Sequence, residues 1–240
     1  MVTMHKSISV VLGSYRAYLT IMAYEKICIP NDPLKERYIQ GAELVGKYGF
    51  PKLDPVHAYL EDLRPVAFPS AKSEKKPREC VAHFFVMDDT FERVWTNLAQ
   101  HLDYLQYFGY VCSPDFSVYS NMPLALQLYN VYRNRALAYC MSQNGINVIP
   151  TVGWSDENSY DFCFDGLPKN STLAVSTNGC FTPYGITMYQ LGFTEMCIRL
   201  EPKEVLVIGK KIDVNTCGGI KVTYMDSFGQ QMTKRLKGGA

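Results

Sequence analysis

Residues 109–154 read GYVCSPDFSVYSNMPLALQLYNVYRNRALAYCMSQNGINVIPTVGW. The short apolar run Tyr110-Val111-Cys112 predicts a strand that leads into Ser113-Pro114-Asp115. A helix is expected to start near Pro123, because proline lacks the N–H that the first helical turn leaves unpaired. From there Leu124, Leu128, Val131, Tyr132, Leu137 and Tyr139 recur at roughly the spacing of one helix face. Asn144-Gly145 suits a C-cap that tolerates positive φ. Ile146 to Ile149 predicts a second strand, ending at Pro150-Thr151. Strand, helix and strand at this spacing make a βαβ unit with parallel strands. In such sheets and barrels, ligands sit at the C-terminal ends of the strands.

Working outward, further strands are expected at Val81–Met87, Ser171–Ser176, Glu204–Ile208 and Ile220–Met225, with helices between most of them. One helix follows Asp88-Asp89-Thr90, with Asp89 or Thr90 as its N-cap. Another covers Pro183–Leu200 and is vulnerable at Gly192. The fold class is α/β, a parallel sheet of alternating βα units, as an open sheet or an incomplete TIM-type barrel. Residues 22–79 read as a helical N-terminal attachment and linker, and residues 80–240 as the α/β domain. Residues 1–21 read as an upstream extension or a loosely held element. Their apolar run is broken by Tyr15, Arg16 and Tyr18, which fits neither a signal peptide nor a membrane span. The tail from Gln230 looks frayed.

The net charge of +1 gives no global field that would draw nucleic acid or membrane. The basic run Lys72 to Arg78 reads as a solvated loop before it reads as a nucleic-acid contact, since it lacks interleaved aromatics. The 8 cysteines show neither zinc nor iron–sulfur spacing, and several stand in apolar runs. That usage points to reduced thiols and a cytoplasmic compartment.

The runs FFVMDDTFERVW, SPDFSVY, NVYRNRALAY and GINVIPTVGW resemble a family from phages, plasmids and other bacterial mobile elements, known only as a domain of unknown function. The resemblance covers roughly residues 80–210, and the PDFS-Y and IPT-W elements are its most specific parts. It implies a phage or mobile-element origin and one α/β domain. It brings no reaction, cofactor or catalytic residue.

The candidate site therefore rests on the residues. Asp88, Asp89 and Asp115 follow two strands, and clustered carboxylates repel unless a cation or a proton relieves them. They could hold Mg²⁺, or Asp88 and Asp115 could divide into an acid and a base. The bland readings are a helix cap for Asp89 and an Asx-type turn for Asp115. Arg133 and Arg135 lie two apart on the helix, so only one is expected to face the core. Arg133 is either a substrate contact or a structural partner of Asp115 or Asp89. Thr151, Trp154, Ser176 and Asn178 follow two later strands, and Tyr119 lies beyond Asp115. Trp154 either stacks on a base or sugar or simply covers the end of the sheet. His83 reads as a satisfied core residue, and His57 and His101 as surface positions. Gly209-Lys210-Lys211 lacks the spacing of a phosphate loop. The expected function is an enzyme-like domain acting on a nucleotide or nucleic acid, with no membrane partner. The alternative is a non-catalytic protein that sequesters a host nucleotide or docks a host protein.

Overall fold

The computed structural model describes residues 32–238; the expectation for residues 1–21 lies outside them. Four parallel strands, β3 (Arg64–Ala67), β4 (Cys80–His83), β5 (Tyr110–Cys112) and β6 (Val148–Ile149), pair in chain order. Three more, β7 (Thr172–Ser176), β8 (Glu204–Ile208) and β9 (Lys221–Met225), form a second parallel sheet, also in chain order. A parallel bridge between Thr151 and Ala174 joins the two. Upstream lies a small antiparallel pair, β1 (Leu44–Val45) with β2 (Phe50–Pro51).

Both sheets are open. Side chains reach across the gap between the outer edges: Gln231 Nε2 donates to the Pro65 carbonyl, and Lys221 lies 3.4 Å from Glu61. No strand pairing joins β9 to β3 among the described residues. The chain is thus α/β with parallel sheets, and the barrel is not closed.

Strand alternation explains the two apolar layers. Val81, Cys112, Ile149, Ala174 and Leu206 belong to one buried cluster that runs through both sheets. Their neighbours Ala82, Val111, Val148, Leu173 and Val205 belong to a larger cluster packed under the helices. These helices are α1 (Phe68–Ala71), α2 (Asp88–Thr96), α3 (Ala99–Leu105), α4 (Leu124–Gln143) and α5 (Pro183–Leu200), and a further helix, α6 (Phe228–Gly238), follows β9.

Several expectations need correction. The N-terminal attachment is not simply helical: it contains the β1–β2 pair and contributes β3. Pro65 is tolerated in β3 because an edge strand has N–H groups that need no ladder partner. Helix α2 has neither Asp89 nor Thr90 as N-cap; Met87 stands there without a side-chain bond. A missing cap costs about 1 kcal/mol, whereas burying Phe91, Val94 and Trp95 contributes about 1.5–3 kcal/mol each. Packing therefore decides. The helix expected to run on from there breaks after Thr96 and resumes as α3. Helix α5 runs through Gly192 unbroken, and the tail forms α6. His101 is buried, its Nδ1 2.8 Å from the Tyr104 hydroxyl. His83 is only half satisfied: its Nδ1 accepts from Phe85 N, while Nε2 has no partner.

Candidate functional site

A cavity of about 930 Å³ opens at the C-terminal ends of β4 to β7. Four loops wall it, at residues 85–89, 115–122, 152–155 and 176–180, and the first turns of α5 complete it. Of the residues singled out from the sequence, Asp88, Asp89, Asp115, Tyr119, Trp154, Ser176 and Asn178 line this one cavity. Arg133 and Thr151 do not.

Asp88 and Asp115 sit in contrasting surroundings. Asp88 opens α2 and accepts hydrogen bonds at both oxygens, from Ser117 N at 3.0 Å and Ser117 Oγ at 2.8 Å. It pins the loop after β5 to the start of α2, where the helix dipole also favours a carboxylate. Asp115 is recessed in the wall, and no protein group donates to its carboxyl among the described residues. Burial pushes its pKa up to about 7, and the nearby Asp88 charge pushes the same way. Asp89 is exposed, and the Thr90 hydroxyl donates to it.

Other wall residues are already occupied. Ser176 Oγ donates to the Ile208 carbonyl and accepts from Asn178 N. Asn178 Nδ2 donates to the Phe85 carbonyl, which leaves its Oδ1 for a ligand. Trp154 Nε1 donates to the Met188 carbonyl at 3.1 Å, and the ring lies 5.7 Å from that of Tyr189. Gly192 makes room for it, since a Cβ there would overlap the indole. Tyr119 is exposed at the mouth.

Thr151 is fully buried. Its Oγ1 donates to the Ser113 carbonyl and its N–H to Ser113 Oγ, so it fastens the ends of β5 and β6 together. Arg133 lies behind the wall. Its Nη1 donates to both Glu92 oxygens at 2.8 Å, and its guanidinium stacks 3.8 Å from the Phe116 ring. Its partner is thus Glu92 rather than Asp115 or Asp89. Arg135 is buried as well, against the expectation that only one of the two would be. Helix α4 is covered on opposite sides, by α2 and Phe116 at Arg133 and by the 163–165 loop at Arg135, which donates to the carbonyls of Cys163 and Asp165.

Sequence reasoning missed the supports. Gln127, Asn130 and Asn134 recur at helical spacing on α4 and are buried. Each donates to a loop carbonyl below the cavity: Met122, Ser117 and Pro114 respectively. Three amides on one face of a helix were the available signal. Ser117 and Tyr189 were also missed; Ser117 stands within the PDFS-Y element, whereas Tyr189 carries no signature in sequence.

Among the described residues no three His, Cys, Asp or Glu side chains gather as a metal site. Both Asp88 oxygens already accept from Ser117. No described helix is long and apolar enough to cross a membrane.

A family described as Domain of unknown function (DUF4417) matches residues 42–224. The Gene 1 protein of Mycobacterium phage L5 is 36% identical over 162 residues, which cover 63% of this chain and 71% of that protein. The Gene 1 protein of Mycobacterium phage D29 is 33% identical over 162 residues, covering 63% of this chain and 60% of its own length. No solved structure matches the chain. The resemblance to a phage family read from the sequence is borne out.

Proposed function

The chain belongs to the DUF4417 family, and from its rim cavity we propose an enzyme-like domain that binds a nucleotide or a component of nucleic acid there and moves a proton with Asp115. The observation that carries this reading is the state of that carboxyl. It is recessed, faces the cavity, receives no hydrogen bond from the described residues, and has its pKa pushed up to about 7. A carboxyl poised near neutral pH both gives and takes protons readily, as general acid–base chemistry requires. The cavity volume suits a ligand of nucleoside size, and Trp154, Tyr119 and Tyr184 offer flat faces around it. Curling of the two sheets toward an incomplete barrel is part of the proposal. One inner apolar cluster serves strands of both sheets, and loops from both meet at the cavity.

The test is a carboxyl-detected NMR titration of Asp115, followed by a screen of nucleosides and nucleotides for binding and for turnover. The expected result is a midpoint near 7 that moves when ligand binds, together with chemical change of one ligand. Binding without any change would favour the sequestering protein instead. A midpoint near 4, the ordinary carboxylate value, would remove Asp115 as the acid–base group.

A further inference from the structure

We propose that the cavity takes an amino-substituted heterocycle, presenting an exocyclic amino donor beside a ring-nitrogen acceptor on one edge, and that it keeps phosphate groups out. This rests on the rim cavity being the functional site and goes further by naming the ligand's chemistry.

Two recessed polar groups on the cavity wall have no protein hydrogen-bond partner among the described residues. One is the Asp115 carboxyl. The other is the Tyr189 hydroxyl, on a side chain only 4% exposed, for which no acceptor stands within reach among the described residues. Cys180, on the same wall, lies within electrostatic reach of both. A buried hydroxyl without a partner is costly, so a ligand acceptor placed against it is favoured. Asp115 adds the complementary demand. As a carboxylate it accepts from an amino group. In its protonated form it accepts from the amino group and donates to the adjacent ring nitrogen, two parallel bonds to one edge. Aminopyrimidines and aminopurines carry that edge, and their flat rings suit the Trp154 wall.

Charge supplies the second half of the proposal. Among the described residues the wall holds Asp88, Asp89 and Asp115 and no Lys, Arg or His. A phosphate monoester, with a charge of about −1.5 to −2 at neutral pH, would meet like charge on entering. The nearby cations lie outside that wall. Arg133 is bonded to Glu92 behind Phe116. Lys210 lines a separate cavity with Ser227, Gln230 and Lys234.

Calorimetry on the full chain at pH 7 tests this with cytidine, adenosine, purine riboside and cytidine 5′-monophosphate, with and without excess Mg²⁺. Cytidine or adenosine is expected to bind. Purine riboside, which is adenosine without its amino group, and the monophosphate are each expected to bind at least about tenfold more weakly. Tyr189→Phe is expected to lower affinity while leaving the stability of the free protein unchanged or raised, an outcome that a purely structural role for the hydroxyl would not give. Equal or tighter binding of purine riboside or of the monophosphate, with or without Mg²⁺, overturns the inference. So does the absence of binding by either amino nucleoside. In those cases an Asp115 midpoint near 7 still leaves the acid–base reading standing, whereas a midpoint near 4 removes that reading whatever binds.

Discussion

Replacing Asp115 by Asn measures what the fold spends to keep that carboxyl in the wall. Asparagine keeps the shape and polarity of the neutral acid but cannot ionise. In the unfolded chain the carboxyl titrates near its ordinary 3.8; in the folded protein it titrates near 7. Between those values the folded state binds the extra proton. Stability due to this group is therefore fully present below about pH 4 and is lost as pH rises through about 7. At about 1.36 kcal/mol per pH unit, the ceiling on that loss is about 4 kcal/mol. Access to the cavity and its solvent makes about 2 kcal/mol the more realistic figure. The raw profile of the wild type will not show this cleanly, because His83 and His101 act in the opposite sense. Burial lowers their pKa values from 6.5 to about 3 and about 4. The stability they contribute is present above about pH 6.5 and lost as pH falls. The difference between variant and wild type cancels those terms. Urea melts at half-unit steps from pH 4.5 to 8.5 should give a stability difference that is small at the acid end. It should grow in favour of Asp115→Asn through pH 7 and then level off. A difference that is flat across this range, or a variant less stable at pH 8, would refute the reasoning.

Gly192→Ala should destabilise by about 1–4 kcal/mol, although alanine in a helix normally gains about 1 kcal/mol over glycine, because the added methyl displaces Trp154 and strands its N–H. The Trp154 indole N–H resonance should shift, and a variant more stable than wild type with an unmoved resonance would sink this account. Arg135→Lys should cost about 2–4 kcal/mol in urea melts, since an ammonium cannot replace the fork that reaches the carbonyls of Asp165 and Cys163. A loss under about 0.5 kcal/mol, the range of an ordinary surface change, would show that the carbonyls find other donors. Asn134→Ala should loosen the Pro114 turn and broaden the Asp115 carboxyl resonance, while Gln143→Ala at the exposed end of the same helix leaves it unchanged.

The legible parts of the fold were those fixed by local pattern. The strands at Tyr110–Cys112 and Glu204–Ile208 could be placed to the residue because each is a short apolar run bounded by turn-formers. The βα order then put Asp88, Asp115, Trp154 and Ser176 at one end of the sheets without knowledge of any contact. What could not be read depends on partners far along the chain. Nothing near Asp88 announces that Ser117 will occupy both of its oxygens. Nothing near Tyr189 announces that its hydroxyl will go without an acceptor. The two arginines were misjudged because helical geometry tells which way a side chain points, not how many sides of the helix are covered.

The acidity of the site depends on those arginines in a way that neither their sequence nor their charge suggests. Both are buried in α4, the helix whose Asn134 holds the turn just before Asp115. A guanidinium donating to that carboxyl would hold its pKa below the ordinary value and leave it a permanent anion at neutral pH. The fold prevents this by turning their Nη donors to other partners, while Arg133 Nε stays buried without a partner among the described residues. Arg133 gives Nη1 to Glu92 and Nη2 to Asn130. Arg135 gives Nε, Nη1 and Nη2 to Asp165, Asn134, Thr151 and Cys163. None of these bonds reaches Asp115. Asn134 makes the arrangement economical: its Oδ1 accepts from Arg135 while its Nδ2 holds the Pro114 carbonyl, so one amide steers the cation away and sets the turn that carries the acid. The pKa near 7 thus follows from what the carboxyl is denied as much as from its burial. It also follows that Glu92→Gln, which frees Arg133 from its ion pair, should lower the Asp115 midpoint only if the guanidinium swings round Phe116 toward the cavity.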